Sequence, residues 1–275
     1  MATWVKNKKD NFNNLTIAFS GRNIKNYLIL AIKSFLYFYP DLKDNIIVFD
    51  DNSIDGTREW LKEQNIKIIT WSDYTEKFRN IKHRIKGSWN FRISMLINEI
   101  ILQTNTKYLC ILDGDIVFLQ NKIFKNSIND LNKYSVIGIE INPLKLGHFY
   151  LFLNRDKLIK HEILYDNLEH AIKQYDNVGL FCEGDIFIKL LNEKKISYKL
   201  YSEKQFNENI FHFKLISTIN YYIYNNRNID KKFLNFTKEL NKNIDVFNSI
   251  NNIDFIHNII KNNKINLIGF NDYKK

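Results

Sequence analysis

The 275-residue chain has only 9 glycines, 2 prolines and 2 cysteines. So little glycine and proline excludes a collagenous, linker-rich or low-complexity protein. Cys110 and Cys182 each sit inside an apolar run, so no disulfide framework is expected and a reducing cytosol is the default compartment. No run of about 18 apolar residues occurs, which leaves no segment expected to span a membrane. The opening Met-Ala-Thr-Trp-Val-Lys-Asn-Lys-Lys-Asp lacks the apolar core of a signal peptide. Against these absences stand 45% hydrophobic, 25% charged and 15% aromatic side chains. Such a composition buries a substantial core, and the length suits one large domain or two modest ones.

Lys and Arg number 40 against 30 Asp and Glu, a formal net charge of +10. That balance favours an acidic partner: nucleic acid, an anionic membrane surface or a phosphorylated small molecule. Lys, Asn and Ile are abundant throughout, the coding style of AT-rich genomes of bacteria, phages and large viruses. Charge alone therefore does not choose among partners. The expected location is cytoplasmic (the host cytoplasm in the viral case), with a peripheral position at a membrane surface left open.

Hydrophobic patterning predicts alternating strands and helices. Residues 14–20 read as a buried strand ending in a Ser-Gly turn, and 26–39 as a helix stopped by Pro40. Ile46 to Phe49 is a second strand, Asp55 an N-cap for a helix through Leu61, and 66–71 a third strand. A helix over 88–103 and an apolar strand over 108–112 follow. This order implies parallel pairing with right-handed crossovers, an open α/β sheet of the nucleotide-binding kind over the first 115 residues. Strands are expected over 136–141, 148–153 and 198–201, with helices over 155–174 and 183–192. Aromatic- and Asn-rich helices are expected beyond Leu215. The resulting organisation is a catalytic domain over residues 1–215 and a helical carboxyl-terminal extension over 216–275.

Ligands of open α/β sheets bind outside the carboxyl ends of the strands. There the sequence places Ser20-Gly21-Arg22, Asp50-Asp51-Asn52-Ser53 and Asp113-Gly114-Asp115. Two carboxylates one small residue apart can converge on a hard cation, Mg²⁺ or Mn²⁺, shared with substrate phosphates. The intervening Gly114 permits close backbone approach to a ligand. As a bare tripeptide it also reads as a solvated turn. Asp55 explains its own place as a cap, but Asp50 and Asp51 are adjacent carboxylates that repel unless something compensates them. One of them could accept the N3–H of a uracil ring or a ribose hydroxyl.

These segments, with Ile47 through Thr57 and Leu112 through Asp115, resemble the GT-A-fold glycosyltransferases, most nearly the inverting family 2 nucleotide-sugar enzymes. The resemblance covers roughly the first 120 residues well and residues up to about 215 more loosely. It implies that Asp51 or Asp50 holds the nucleotide base, that Asp113 lies near the ribose and that Asp115 ligates the metal on the diphosphate. Ser20, Arg22 and Gly114 then belong to the donor site. Asn98 falls where the family has the Asn of an Ala-Arg-Asn segment, with Ile97 in the Arg position. Arg84 or Arg92, in the basic stretch from Lys77, are the candidate replacements for that cation. The stretch Cys182-Glu183-Gly184-Asp185 resembles the second acidic motif, with Lys189 where Arg is common. It implies Glu183, and after it Asp185, as the base that deprotonates the acceptor hydroxyl. An acidic first helical turn explains the same residues without chemistry. A late His completes the metal site in many GT-A enzymes, which points to His212, with Lys214 and Ser217 as weaker phosphate contacts.

The reading is a metal-dependent glycosyltransferase using Mn²⁺ or Mg²⁺ and a nucleoside-diphosphate sugar, favouring UDP, with inversion. Its hexosyl or N-acetylhexosaminyl group would pass to a glycan, protein, lipid or nucleic-acid hydroxyl. A nucleotidyltransferase fits less well because an early Gly-rich phosphate loop is missing. The competing class is a nucleic-acid binder using charge and aromatic stacking, or a hybrid, a glycosyltransferase acting on modified DNA.

Overall fold

The computed structural model describes residues 13–71, 88–142, 145–161 and 183–213. The chain runs β1 (Leu15–Gly21), α1 (Lys25–Phe38), a 3-10 turn (Pro40–Asn45), β2 (Ile46–Asp50), α2 (Thr57–Glu63) and β3 (Lys67–Ile69). It continues through α3 (Ser88–Gln103), β4 (Tyr108–Asp113), β5 (Ile116–Phe118), α4 (Lys122–Asp130), β6 (Val136–Asn142), β7 (Lys145–Asn154) and α5 (Arg155–Lys160). The last described elements are α6 (Glu183–Glu193), β8 (Tyr198–Ser202), α7 (Glu203–Asn207) and β9 (Ile210–His212).

Seven strands form one sheet in the order β3-β2-β1-β4-β7-β6-β8. β3, β2, β1 and β4 are mutually parallel, β7 is antiparallel to β4 and β6, and β8 runs parallel to β6. The expected parallel half is therefore present, and the mixed half begins where β7 reverses direction. Strand alternation divides the core into two layers. Ile17 and Phe19 of β1, with Cys110 and Leu112 of β4, pack with Tyr27, Leu28, Ala31 and Phe35 of α1 and Phe124 of α4. Ala18, Leu109 and Ile111 face the other way, onto Ile97, Ile100 and Ile101 of α3 and Phe187, Ile188 and Leu191 of α6. Phe35 meets Phe19, Phe118 and Phe124 edge-on at 5.1–6.0 Å, geometry that adds to the burial itself. Among the described residues no helix is long and apolar enough to cross a membrane.

Two expectations need correction. The third strand spans Lys67–Ile69 rather than 66–71, because it pairs only with β2, over three residues. α2 starts at Thr57, and its N-cap position is Gly56 with φ +83° rather than Asp55. Asp55 still acts as a cap through its side chain, accepting from the Thr57 N–H at 3.1 Å and from the Lys25 N–H of α1 at 2.9 Å. The helix expected over 155–174 is α5, whose C-cap is His161, and residues 162–174 lie outside the described residues. α4 escaped the sequence reading, although Ile123, Phe124, Ser127 and Ile128 are buried at helical spacing. Residues 216–275, the expected extension, lie outside the described residues, as does Cys182, while Cys110 is a buried free thiol.

Candidate functional site

The carboxyl ends of β1, β2 and β4 lie side by side, with Gly21 facing Asp50 and Ser20 facing Asp113. The Asp51 N–H donates to the Gly21 carbonyl at 3.1 Å, and the Gly114 N–H donates to the Ser20 carbonyl at 2.7 Å. These bonds carry the three loops past the sheet edge in one fixed register. Ser20 is buried and its carbonyl is committed to Gly114. A Cβ on Gly114 would lie 2.9 Å from that same carbonyl oxygen and 2.7 Å from Ile24 Cδ1. Glycine is thus favoured between the two aspartates by packing against Ser20, Ile24 and Leu28.

A network of side-chain bonds joins the loop after β1 to the loop after β2. Asn23, at φ +53°, receives Ile54 N–H on Oδ1 at 2.8 Å, and its own N–H donates to Ser53 Oγ at 2.9 Å. Asn tolerates that left-handed backbone because its short amide bonds locally. Asp50 is fully buried, forms an ion pair with Arg58 Nε, and accepts from Ser53 N–H at 3.2 Å. Arg58 also donates to Asn52 Oδ1 at 3.1 Å. Asp51 is 6% exposed and accepts from the Trp71 indole N–H at 2.6 Å. Trp71 stands edge-on to Phe49 at 5.0 Å. Of the two adjacent carboxylates, Asp50 thus meets a cation, and Asp51 meets the neutral indole N–H of Trp71. Arg58 and Trp71 were missed by sequence reasoning. The unexplained Asp-Asp pair was itself a signal that a cation had to lie near, and Arg58, on the next helix, is that cation.

Asp115 is almost wholly buried and Asp113 partly exposed. β5 leaves directly after Asp115 and pairs antiparallel with β9, placing Ile116 opposite His212. The Phe213 N–H closes this ribbon on the Asp115 carbonyl at 3.0 Å. His212 Nε2 consequently lies 3.2 Å from Asp115 Oδ1 and 3.5 Å from Asp113 Oδ2. One ligand atom from each of the three residues falls within 4.8 Å of the others. The imidazole ring is held from one side by Phe149, centroids 4.8 Å apart. Its Nδ1 is buried without a hydrogen-bond partner among the described residues. Burial would push the imidazolium toward losing its proton, but the charge of Asp115, then hydrogen bonds that His212 donates to Asp113 and Asp115, overcome this and raise its pKa to about 9. Two carboxylates and one imidazole converging in this way fit a divalent cation, which supplies the positive charge that His212 carries when protonated. His212 lies at the end of β9, the short strand that follows β8 and α7.

Asn98 is buried on α3, and its Oδ1 lacks a hydrogen-bond partner among the described residues. Ile97, in the position where the family has Arg, is a core residue at 1% exposure against Ala18, Phe49 and Ile111, so a cation could not occupy it. Arg22 is half-buried at the end of β1. Arg84 and Lys214 lie outside the described residues. Helix α6 begins at Glu183, and the side chains of Glu183 and Asp185 lie outside those described.

Residues 17–137 match the family model described as glycosyl transferase family 2. No curated protein matches the chain. Among solved structures, the glycosyltransferase GlyE of Streptococcus pneumoniae TIGR4 is 16% identical with a TM-score of 0.44, covering 70% of this chain and 46% of its own. S. aureus TarS 1-349 is 12% identical with a TM-score of 0.48, covering 75% and 62%. The mannosyltransferase PcManGT of Pyrobaculum calidifontis, in complex with GDP-Man and Mn²⁺, is 12% identical with a TM-score of 0.43, covering 69% and 55%. The chain thus spans between 46% and 62% of the length of these three. Residues 17–137 thus match the glycosyl transferase family 2 model, and the described strands of this region belong to a mixed α/β sheet.

Proposed function

We propose that this chain is a divalent-metal-dependent glycosyltransferase that takes a nucleoside-diphosphate sugar, UDP-based, and passes the hexosyl or N-acetylhexosaminyl group to an acceptor hydroxyl with inversion. The observation that carries the reading is the convergence of Asp113, Asp115 and His212 at the end of β4, beside the loop that holds Asp51. Asp115 and His212 are the metal ligands, with Asp113 shared between the metal and the ribose. Bound there, Mn²⁺ or Mg²⁺ supplies charge that offsets the negative charge building on the departing diphosphate. Mn²⁺ is favoured because the donor set includes an imidazole nitrogen.

Asp51 accepts from the N3–H of the uracil ring, and Trp71 holds its carboxylate for that task. Asp50 shapes the loop, since its carboxylate is already engaged by Arg58 and the Ser53 N–H. Ser20 and Arg22 border the donor, and Asn98, Arg84 and Lys214 complete its polar contacts. Glu183, with Asp185 as second choice, takes the proton from the acceptor hydroxyl while that oxygen attacks the anomeric carbon. The described phenylalanines and tyrosines lie mostly inside the two core layers, which disfavours the base-stacking alternative.

The test is a UDP-release assay with a panel of UDP-sugars in Mn²⁺. Wild type is expected to turn over one sugar nucleotide, Asp115→Ala to lose turnover, and Glu183→Gln to lose transfer while still binding donor. Full activity in Asp115→Ala, or in metal-free buffer containing chelator, would overturn the metal assignment. Unchanged transfer by Glu183→Gln would remove Glu183 as the base.

A further inference from the structure

We propose that the edge of the sheet opposite the Asp113, Asp115 and His212 cluster is a docking surface for an anionic lipid bilayer. Strand register brings the surface together. Tyr108 pairs with Asn154, and Val136 pairs with both Leu153 and Tyr198. The starts of β4, β6 and β8 and the end of β7 therefore share one edge. Backbone bonds knit the flanking segments, with Arg155 N–H donating to the Lys107 carbonyl at 2.9 Å. Asn154 N–H donates to the Ser135 carbonyl and Ser135 N–H to the Ser197 carbonyl, both at 2.8 Å.

Cations dominate what this edge presents. Lys107 and Lys133 are exposed just before β4 and β6, Lys157 and Lys160 on α5, and Lys194 and Lys195 on the turn into β8. Lys107 and Lys133 lie over the rings of Tyr108 and Tyr134 at 5.0 and 5.1 Å. The described acids are few and engaged. Asp156 sits 3.8 Å from Arg155, Glu193 sits 3.9 Å from Lys189, and Asp130 accepts from Lys199 and Tyr201. The other half of the same edge, under β2 and β3, is balanced, with Asp41, Asp44 and Glu63 against Lys43, Lys62 and Lys67. Among the described residues, positive charge is thus concentrated under the β4 to β8 half rather than spread evenly.

Apolar exposure selects the kind of partner. Among the described residues four large hydrophobic side chains are exposed: Tyr37, Ile54, Leu102 and Ile159. Two of the four belong to this edge. Ile159, 38% exposed, lies on α5 between Lys157 and Lys160. Leu102, 44% exposed, lies in the last turn of α3, whose Ile101 carbonyl accepts from Arg155 Nε at 2.7 Å. A nucleic-acid backbone rewards the lysines but offers those two side chains no partner. The boundary between lipid headgroups and acyl chains accepts both, while lysine stems reach along it to the phosphates. This edge and the acidic cluster sit at opposite ends of β4, so docking here does not depend on the proposed donor site.

The test is co-sedimentation of the full chain with vesicles of phosphatidylcholine alone and of phosphatidylcholine mixed with phosphatidylglycerol. Binding is expected only to the anionic vesicles and to be released by high salt. Each neutralised lysine is expected to weaken binding about fivefold, so Lys157→Gln with Lys160→Gln and Lys195→Gln loses about a hundredfold. Ile159→Ser is expected to weaken binding while leaving its salt dependence unchanged, and Asp115→Ala to bind vesicles like wild type. All variants are compared at matched far-ultraviolet circular dichroism and melting temperature, and Lys43→Gln with Lys67→Gln controls for charge alone. No binding to anionic vesicles would overturn the proposal. So would an equal loss in the control pair, or salt-sensitive duplex DNA binding that Ile159→Ser leaves untouched in place of vesicle binding.

Discussion

Asp50 and Asp51 are neighbours in sequence with different work to do. Asp50 is sealed under Arg58 and the Ser53 N–H, so its replacement disturbs the loop. Asp50→Asn is expected to destabilise the fold by about 2 kcal/mol, because the Arg58 charge loses its partner and the buried oxygens lose acceptor strength. Chemical denaturation reads that loss directly. Asp51→Asn is expected to leave the melting temperature nearly unchanged and to raise the donor KM about tenfold, the usual scale for a hydrogen bond to a charged group. Trp71→Phe keeps an aromatic ring against Phe49 but loses the indole N–H. It should raise the donor KM in the same direction with kcat intact, and a fall in kcat alone would contradict the positioning role. His212 sets a pH dependence whose sign follows from its raised pKa. Below about pH 9 the metal-free protein holds the imidazolium, so a divalent ion must displace a proton. Metal affinity should therefore rise up to tenfold per pH unit and level off near pH 9, measurable by calorimetry. In the metal-free protein the same charge stabilises the fold fully below about pH 6.5 and is lost as pH rises through about 9. An affinity flat between pH 6 and 9 would mean that His212 is not a ligand.

Elements explain why some of this was legible beforehand. β1, β2 and β4 are mostly apolar runs, interrupted in β1 by Thr16, the pattern of strands buried on both faces, and their sequence order already put Asp50, Asp51, Asp113 and Asp115 at one edge. β5 and β9 are three residues each, too short for any periodicity, and exist because they pair with one another across a long stretch of chain. The closeness of His212 to Asp113 and Asp115 is therefore a tertiary fact, reached in the sequence only through family resemblance. The stitching of Asn23 to Ser53 and Ile54 was illegible for the same reason, since its partners lie on different loops. Gly114 carries a prediction at this scale. Gly114→Ala is expected to cost about 1–3 kcal/mol, the range for forcing an extra carbon into a packed site, as its Cβ meets the Ser20 backbone carbonyl as well as the Ile24 side chain. A melting temperature equal to wild type would contradict that close approach.

Over the whole molecule the two ends of the sheet differ in charge and in surroundings. Among the described residues, the carboxyl end gathers aspartates with compensating partners, and the opposite end gathers lysines with two exposed apolar side chains. The net charge of +10 read from composition could not distinguish these ends. Only strand register separates the β4 to β8 half from its balanced neighbour. The central claim is that Asp113, Asp115 and His212 bind a divalent cation together with a sugar nucleotide. The most direct measurement is the thermal shift given by a panel of nucleoside-diphosphate sugars, with and without Mn²⁺, on wild type and Asp115→Ala, because a ligand of the folded state alone raises the melting temperature. The expected result is a shift for one sugar nucleotide that requires Mn²⁺ and vanishes in the variant. A shift of equal size without metal, an undiminished shift in Asp115→Ala, or no shift with any member of the panel would contradict the account.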